Sequence, residues 1–360
     1  MQVVSQGVAI SQDQSMKKEI TNTITKSNNY KASYSDVWGN LTISLGFFLI
    51  CCISTRADPP FWGTIFIESD IIKPSDPSSF SSLSVAGQGY RTMYDRRENG
   101  WVRLNAYLFN AAYDDGLKIE VQVNPEFGSV DRAKKEAEKY SKAIGQLTTA
   151  LRKDVETVWI HKGVNPFGGG NNNLLIHTGQ AAEYIKNGIL EETFVHEAAH
   201  TSLDARHANS AGWLAAQKAD GGFISNYAQD YPQREDVAES FLPYFAVRYR
   251  PDRVTSALKN KIKKTIPHRI KYFDGIAFDM YPVIKRVAPL IHYLSDLDSQ
   301  RAEIIWNSQV GAKYIIESSS DLSLWKVVGG VLIAEFELSS RGINLNPNIH
   351  TYEFFRVGLK

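Results

Sequence analysis

Two neighbouring stretches of the chain read as strands from their apolar and polar positions, residues 101–110 (WVRLNAYLFN) and the alternating 117–123 (LKIEVQV). In the second, Ile119, Val121 and Val123 share one face, and that period of two predicts a strand turned toward a core. Over 131–151 the apolar positions recur at helical spacing behind Asp131, the pattern of a capped helix. Residues 157–161 (TVWIH) and 173–177 (NLLIH) are short apolar runs that read as two further strands. Gly168-Gly169-Gly170-Asn171-Asn172 separates them and reads as a flexible turn. It lacks the Gly-Lys-Ser/Thr ending that reaches phosphate and magnesium, so it is not a phosphate loop. The strand at 173–177 precedes the helical part of the chain and is expected to be the cleft edge that pairs with an extended peptide. Residues 74–84 (PSDPSSFSSLS) read as a loop.

Helical spacing dominates the middle of the chain. A short helix over 181–186 stops at Asn187-Gly188. A longer one covers 190–206, and another covers 236–248 with Glu235 at its start. Basic helical material follows over 254–264, where Lys259, Lys261, Lys263 and Lys264 form a solvated face. From about residue 304 short apolar and aromatic runs alternate with Ser, Gly and Asn turns, which predicts a small β-rich unit. The expected architecture is α+β, with a mixed sheet and helices over 58–300 and a β-rich C-terminal module over 301–360.

Residues 1–40 are rich in Ser, Asn, Lys and Gln, the composition of a disordered segment. The apolar run at 41–54 (LTISLGFFLICCIS) is shorter than the roughly 20 residues that span a bilayer. Lys17, Lys18, Lys26 and Lys31 precede it and Thr55-Arg56-Ala57 follows, the order of a secretory signal. We therefore expect a leader over 1–57, a mature chain opening at Asp58-Pro59-Pro60, and a secreted, periplasmic or cell-surface protein. No stable membrane insertion of the mature chain is expected. The two cysteines, Cys51 and Cys52, both lie in that leader. Disulfides and thiolate ligands are thereby removed from the mature chain, and any metal site must use His, Asp and Glu.

Apolar residues make up 43% of the chain and charged residues 22%, ordinary values for a folded protein with a sizeable core. The net charge of +1 offers no field for a polyanion, so a nucleic-acid partner is not expected. The chemistry concentrates in His196-Glu197-Ala198-Ala199-His200. Residues four apart share a helix face, so His196 and His200 can hold one zinc ion through imidazole nitrogens. Glu197 is rotated about 100 degrees away from His196, a position suited to a general base acting on water. A third ligand is needed, and three residues compete for that place. Asp204 lies on the same face of the same helix, His207 is seven residues past His200, and Glu235 opens a separate helix. Glu235 is favoured, because a carboxylate from a second helix closes the ion from a new direction. His161, His177, His268, His292 and His350 read as structural.

HEAAH followed by NYAQDYPQREDVAESF resembles the active-site helices of the gluzincin metallopeptidases, the group typified by thermolysin and anthrax lethal factor. The resemblance covers about residues 190–245. It implies a zincin-like catalytic domain, one zinc ion, a peptide or protein substrate, and a glutamate on the downstream helix as third ligand. It also implies an acid four residues later supporting the first histidine, which Glu239 matches, and an acid four residues after the second histidine, which Asp204 matches. A tyrosine ahead of the ligand glutamate would steady the oxyanion, with Tyr227 favoured and Tyr231 as its rival. The alternative from another class is a non-catalytic secreted or surface binding protein whose zinc is structural or vestigial.

Overall fold

The computed structural model describes residues 8–10, 58–298, 301–344 and 353–360. The expected signal run at 41–54, with Cys51 and Cys52, lies outside the described residues. No described helix is long and apolar enough to cross a membrane.

The chain is a mixture of helices and strands arranged around one mixed sheet and two smaller antiparallel sheets. Val8–Ile10 is β1, and the larger sheet begins with β2 (Phe80–Asp95) and β3 (Gly100–Tyr113), a long antiparallel hairpin. It continues through β4 (Lys118–Val123), β5 (Thr157–His161), β6 (Gly168–Gly170) and β7 (Asn173–His177). Its spatial order is β2-β3-β4-β5-β7-β6. The β4–β5 and β5–β7 pairs are parallel and the others antiparallel.

Three expectations change here. The segment 74–84 is not all loop, because β2 starts at Phe80, opposite Tyr113. Its Ser-rich sequence carries no apolar alternation, and its partner strand supplies the pairing. The strand at 173–177 is not the cleft edge, since β7 is paired on both sides and buried throughout. The edge is the Gly run itself, which forms β6 rather than a free turn.

Helices α1 (Val130–Ile144) and α2 (Thr149–Arg152) occupy the stretch expected as one helix. The break falls at Gly145, whose carbonyl accepts from Ser79 N at 2.9 Å. A Cβ there would come within 2.8 Å of the Phe80 backbone nitrogen, so the first strand crosses where the helix would continue. Next come α3 (Thr178–Lys186), α4 (Leu190–Ser202) and the single turn α5 (Asp204–His207). The remaining helices are α6 (Ala211–Asp220), α7 (Asn226–Asp230), α8 (Asp236–Tyr249), α9 (Ser256–Thr265) and α10 (Pro267–Gly275). The main core joins the helices to one sheet face, with Phe109, Val121 and Ile160 meeting Tyr140, Phe194 and Phe241. On the opposite face Met93, Ala106 and Leu108 form a small cluster with Leu104 and Trp159.

The antiparallel sheets start at Ile291, ahead of the expected boundary at 301. Strands β8 (Ile291–Asp298), β9 (Arg301–Asn307) and β12 (Leu338–Asn344) form one. Strands β10 (Lys313–Ser319), β11 (Lys326–Ile333) and β13 (Glu353–Leu359) form the other, with β1 pairing along β13. Val8–Ile10 thus takes up strand structure inside the stretch expected to be disordered. The two sheets share a core built on Trp306, Tyr314, Ile316, Phe355 and Val357.

Candidate metal centre

Helix α4 is buried along almost its whole length, and Glu197 and His200 are its partly exposed members. Helix α8 packs against it and is also buried nearly throughout. Buried acids fix the start of α8. Asp236 accepts from Arg269 Nε at 2.9 Å, and Arg269 Nη1 donates to Asp220 at 2.9 Å, with all three side chains sealed from solvent. Glu235, the residue before Asp236, is thereby presented to α4.

His196 Nε2 and His200 Nε2 lie 3.1 Å apart. Glu235 Oε2 is 3.1 Å from His200 Nε2 and 3.5 Å from His196 Nε2. A tetrahedral zinc with ligand bonds near 2.0 Å requires edges of about 3.3 Å between donor atoms. The triangle has that size. Glu235 Oε2 is buried without a hydrogen-bond partner, a costly state that a cation on the shared face would relieve. The donor set, two imidazoles and one carboxylate, suits zinc with one position left open.

The outer nitrogens of both rings face carboxylates. Asp204 Oδ2 is 2.7 Å from His200 Nδ1. Glu239 Oε1 stands 3.3 Å from His196 Nδ1, while its other oxygen accepts from Thr64 N at 2.8 Å. The Asp204 contact fixes the tautomer that turns His200 Nε2 inward, whereas His196 Nδ1 faces Glu239 without forming a hydrogen bond. The helix expected over 190–206 breaks at Leu203, and that break sets Asp204 against His200 rather than against the donor triangle.

The site is built to hold positive charge. Burial works against a charged His196, but Glu235 and Glu239 outweigh it and push the ring up to about 10. Burial likewise opposes charge on His200, and Asp204 and Glu235 push it up to about 9. Burial favours a neutral Glu235, yet His196, His200 and Arg234 hold it well below the usual carboxylate range. The Asp204 carboxyl is raised by burial, with His200 opposing.

The triangle opens into a cleft of 630 Å³ that Glu197 and Tyr227 also line. Tyr227 sits on α7, whose cap is Ser225 Oγ accepting from Ala228 N at 3.1 Å. Its ring lies nearly parallel to that of His196, with centroids 6.5 Å apart. Its hydroxyl accepts from Arg234 at 3.4 Å, and Arg234 Nε also donates to Glu235 Oε1 at 2.6 Å. Burial and then Glu235 raise the Tyr227 phenol, so it stays a proton donor. Tyr231 stacks edge-on behind Tyr227 and is capped by Arg234, away from the cleft lining. His207 turns elsewhere, with Nδ1 2.7 Å from the Tyr272 hydroxyl.

One wall of the cleft is β6. A Cβ on Gly169 would fall 1.9 Å from the Glu197 carbonyl oxygen, so only glycine lets the edge strand lie on α4. Thr201 Oγ1 stitches the two, accepting from Gly170 N at 2.8 Å and donating to Asn173 O at 2.9 Å. Thr64, Gly169 and Arg96 all contribute to the site; Thr64 and Arg96 are absent from the sequence expectations, and Gly169 enters them only as part of a turn. Their roles rest on contacts far along the chain, and the glycine run was the one local signal. Neither models of known protein families nor curated protein sequences match this chain.

Proposed function

We propose that the protein is a zinc metallopeptidase with a zincin-like catalytic domain, exported by way of its 41–54 run. One observation carries the reading: three donor atoms from two helices form a triangle of zinc-sized edges beside a half-buried Glu197. His196, His200 and Glu235 would hold the ion, and Glu239 and Asp204 would orient the two rings. Zinc held there supplies Lewis acidity toward a water molecule and a substrate carbonyl. Glu197 takes the proton from water and delivers it to the leaving amine. The Tyr227 hydroxyl donates to the carbonyl oxygen as negative charge develops there. Strand β6 is the outermost strand of the sheet, along which an extended peptide would pair.

The test is a broad peptide-library digest with zinc-loaded protein. Wild type is expected to cleave, and Glu197→Gln to lose about 100-fold or more in rate while keeping its zinc. Full activity in Glu197→Gln contradicts the assignment of the base. Stoichiometric zinc without any cleavage favours a binding protein with a structural ion.

A further inference from the structure

We propose that Arg96 forms a subsite for a carboxylate of the substrate on the β6 side of the cleft, an inference that rests on the peptidase reading above. Arg96 lies in the turn of the β2–β3 hairpin, about a hundred residues before α4, yet it lines the cleft. A network of ion pairs and hydrogen bonds fastens that turn. Asp95 accepts from the Arg97 backbone at 2.9 Å and from its guanidinium at 2.6 Å. Arg97 in turn grips both oxygens of Glu126, at 2.8 and 2.9 Å. Glu126 accepts from Lys162 N at 2.8 Å, and Asp95 stands 3.4 Å from the buried His161 at the end of β5. The residue between Asp95 and Arg97 is thus carried on a rigid support.

The Arg96 side chain crosses the edge strand. Its Nη2 donates to Phe167 O at 2.9 Å, and a Cβ on Gly168 would sit 3.2 Å from that same nitrogen. Glycine at 168 therefore gives the guanidinium its path. Among the described residues no carboxylate lies within ion-pair distance of Arg96, and Nε and Nη1 have no partner. The other arginine lining the cleft differs, because Arg234 is committed to Glu235 and Tyr227. The cleft lining also includes exposed aromatics, with Trp62 74% and Phe66 58% exposed. The wall residue Tyr184, whose phenol burial raises, is raised further by Glu197 and lowered by Arg96, so both charges act across it. With one Nη2 hydrogen spent on Phe167 O, the guanidinium keeps its second Nη2 hydrogen beside either Nε or Nη1, and that pair of donors fits a carboxylate. A peptide paired along β6 would pass beneath it. The carboxylate is either an Asp or Glu side chain or the peptide's own C-terminus.

The experiment compares cleavage of peptide pairs that differ only by Asp for Asn, or Glu for Gln, at each position. A second arm compares free-acid with amidated C-termini. Binding of the same pairs to zinc-loaded Glu197→Gln is followed by fluorescence anisotropy, which needs no turnover. Wild type is expected to favour the acid at one position, or at the terminus, by about fivefold, an advantage that fades with salt. Arg96→Glu is expected to invert the preference toward Lys at that position. Arg96→Gln, which keeps a donor for the Phe167 carbonyl, is expected to flatten it. Cleavage without any discrimination, or a preference unchanged in Arg96→Glu, overturns the subsite and leaves the peptidase reading standing. Absence of both cleavage and binding for every peptide overturns the two together.

Discussion

Glu192 is sealed one turn ahead of His196, with one carboxyl oxygen accepting from Ile72 N at 2.9 Å and the other unpartnered. Burial, then the nearby Glu191 and Asp70, push it up to about 8, and burial pushes Glu191 up to about 7. The folded-state values lie above the unfolded ones, so the two acids favour the fold while protonated. That contribution is complete below about pH 4.5 and is lost as pH rises through 7 and 8. Glu192→Gln removes the penalty while keeping an acceptor for Ile72. We expect it to gain roughly 4 kcal/mol relative to wild type between pH 5 and pH 8.5, read from urea unfolding at both values. An equal difference at the two pH values contradicts this. At this scale the sequence already exposed His196, Glu197, His200 and Glu235, because ligand chemistry and helical spacing are local. Thr64 was illegible, since its bond to Glu239 joins residues 175 positions apart.

Between elements, the site depends on how closely β6 approaches α4. Gly169→Ala places a methyl into the Glu197 carbonyl, and backbone cannot yield as a flexible side chain would. We expect a loss of about 1–3 kcal/mol in stability, seen as a lower melting temperature, with Glu197 displaced and cleavage reduced. An unchanged melting temperature would mean that the strand stands off the helix. The Gly run reads as a turn in the sequence because three glycines carry no strand propensity, and only the partner β7 makes them a strand. The same reasoning accounts for β7, whose apolar sequence fits a strand buried on both faces better than an edge. Helix breaks at Gly145 and Leu203 escaped the periodic pattern because the apolar spacing runs on through them.

Across the whole molecule, the β-rich module sits on the helical part. Gly311, at φ +83°, lies against Tyr249 where a Cβ would come within 2.4 Å of the ring, and Lys313 donates to the carbonyls of Asp274 and Ile276. Ile284 packs on both cores. The α+β class and the β-rich end were legible from the change in period along the chain. The curl of the β2–β3 hairpin toward the cleft was not, because the Asp95, Arg97, Glu126 and His161 contacts that hold it are scattered in sequence. All of this architecture bears on one claim, that two helices bring His196, His200 and Glu235 to a single zinc ion. The direct measurement is zinc content per chain, with affinity by chelator competition, for wild type beside Glu235→Ala. We predict one tightly held zinc in wild type and an affinity lower by at least about 100-fold in the variant, beyond the loss typical of an outer partner. Undiminished zinc binding by Glu235→Ala would contradict the account.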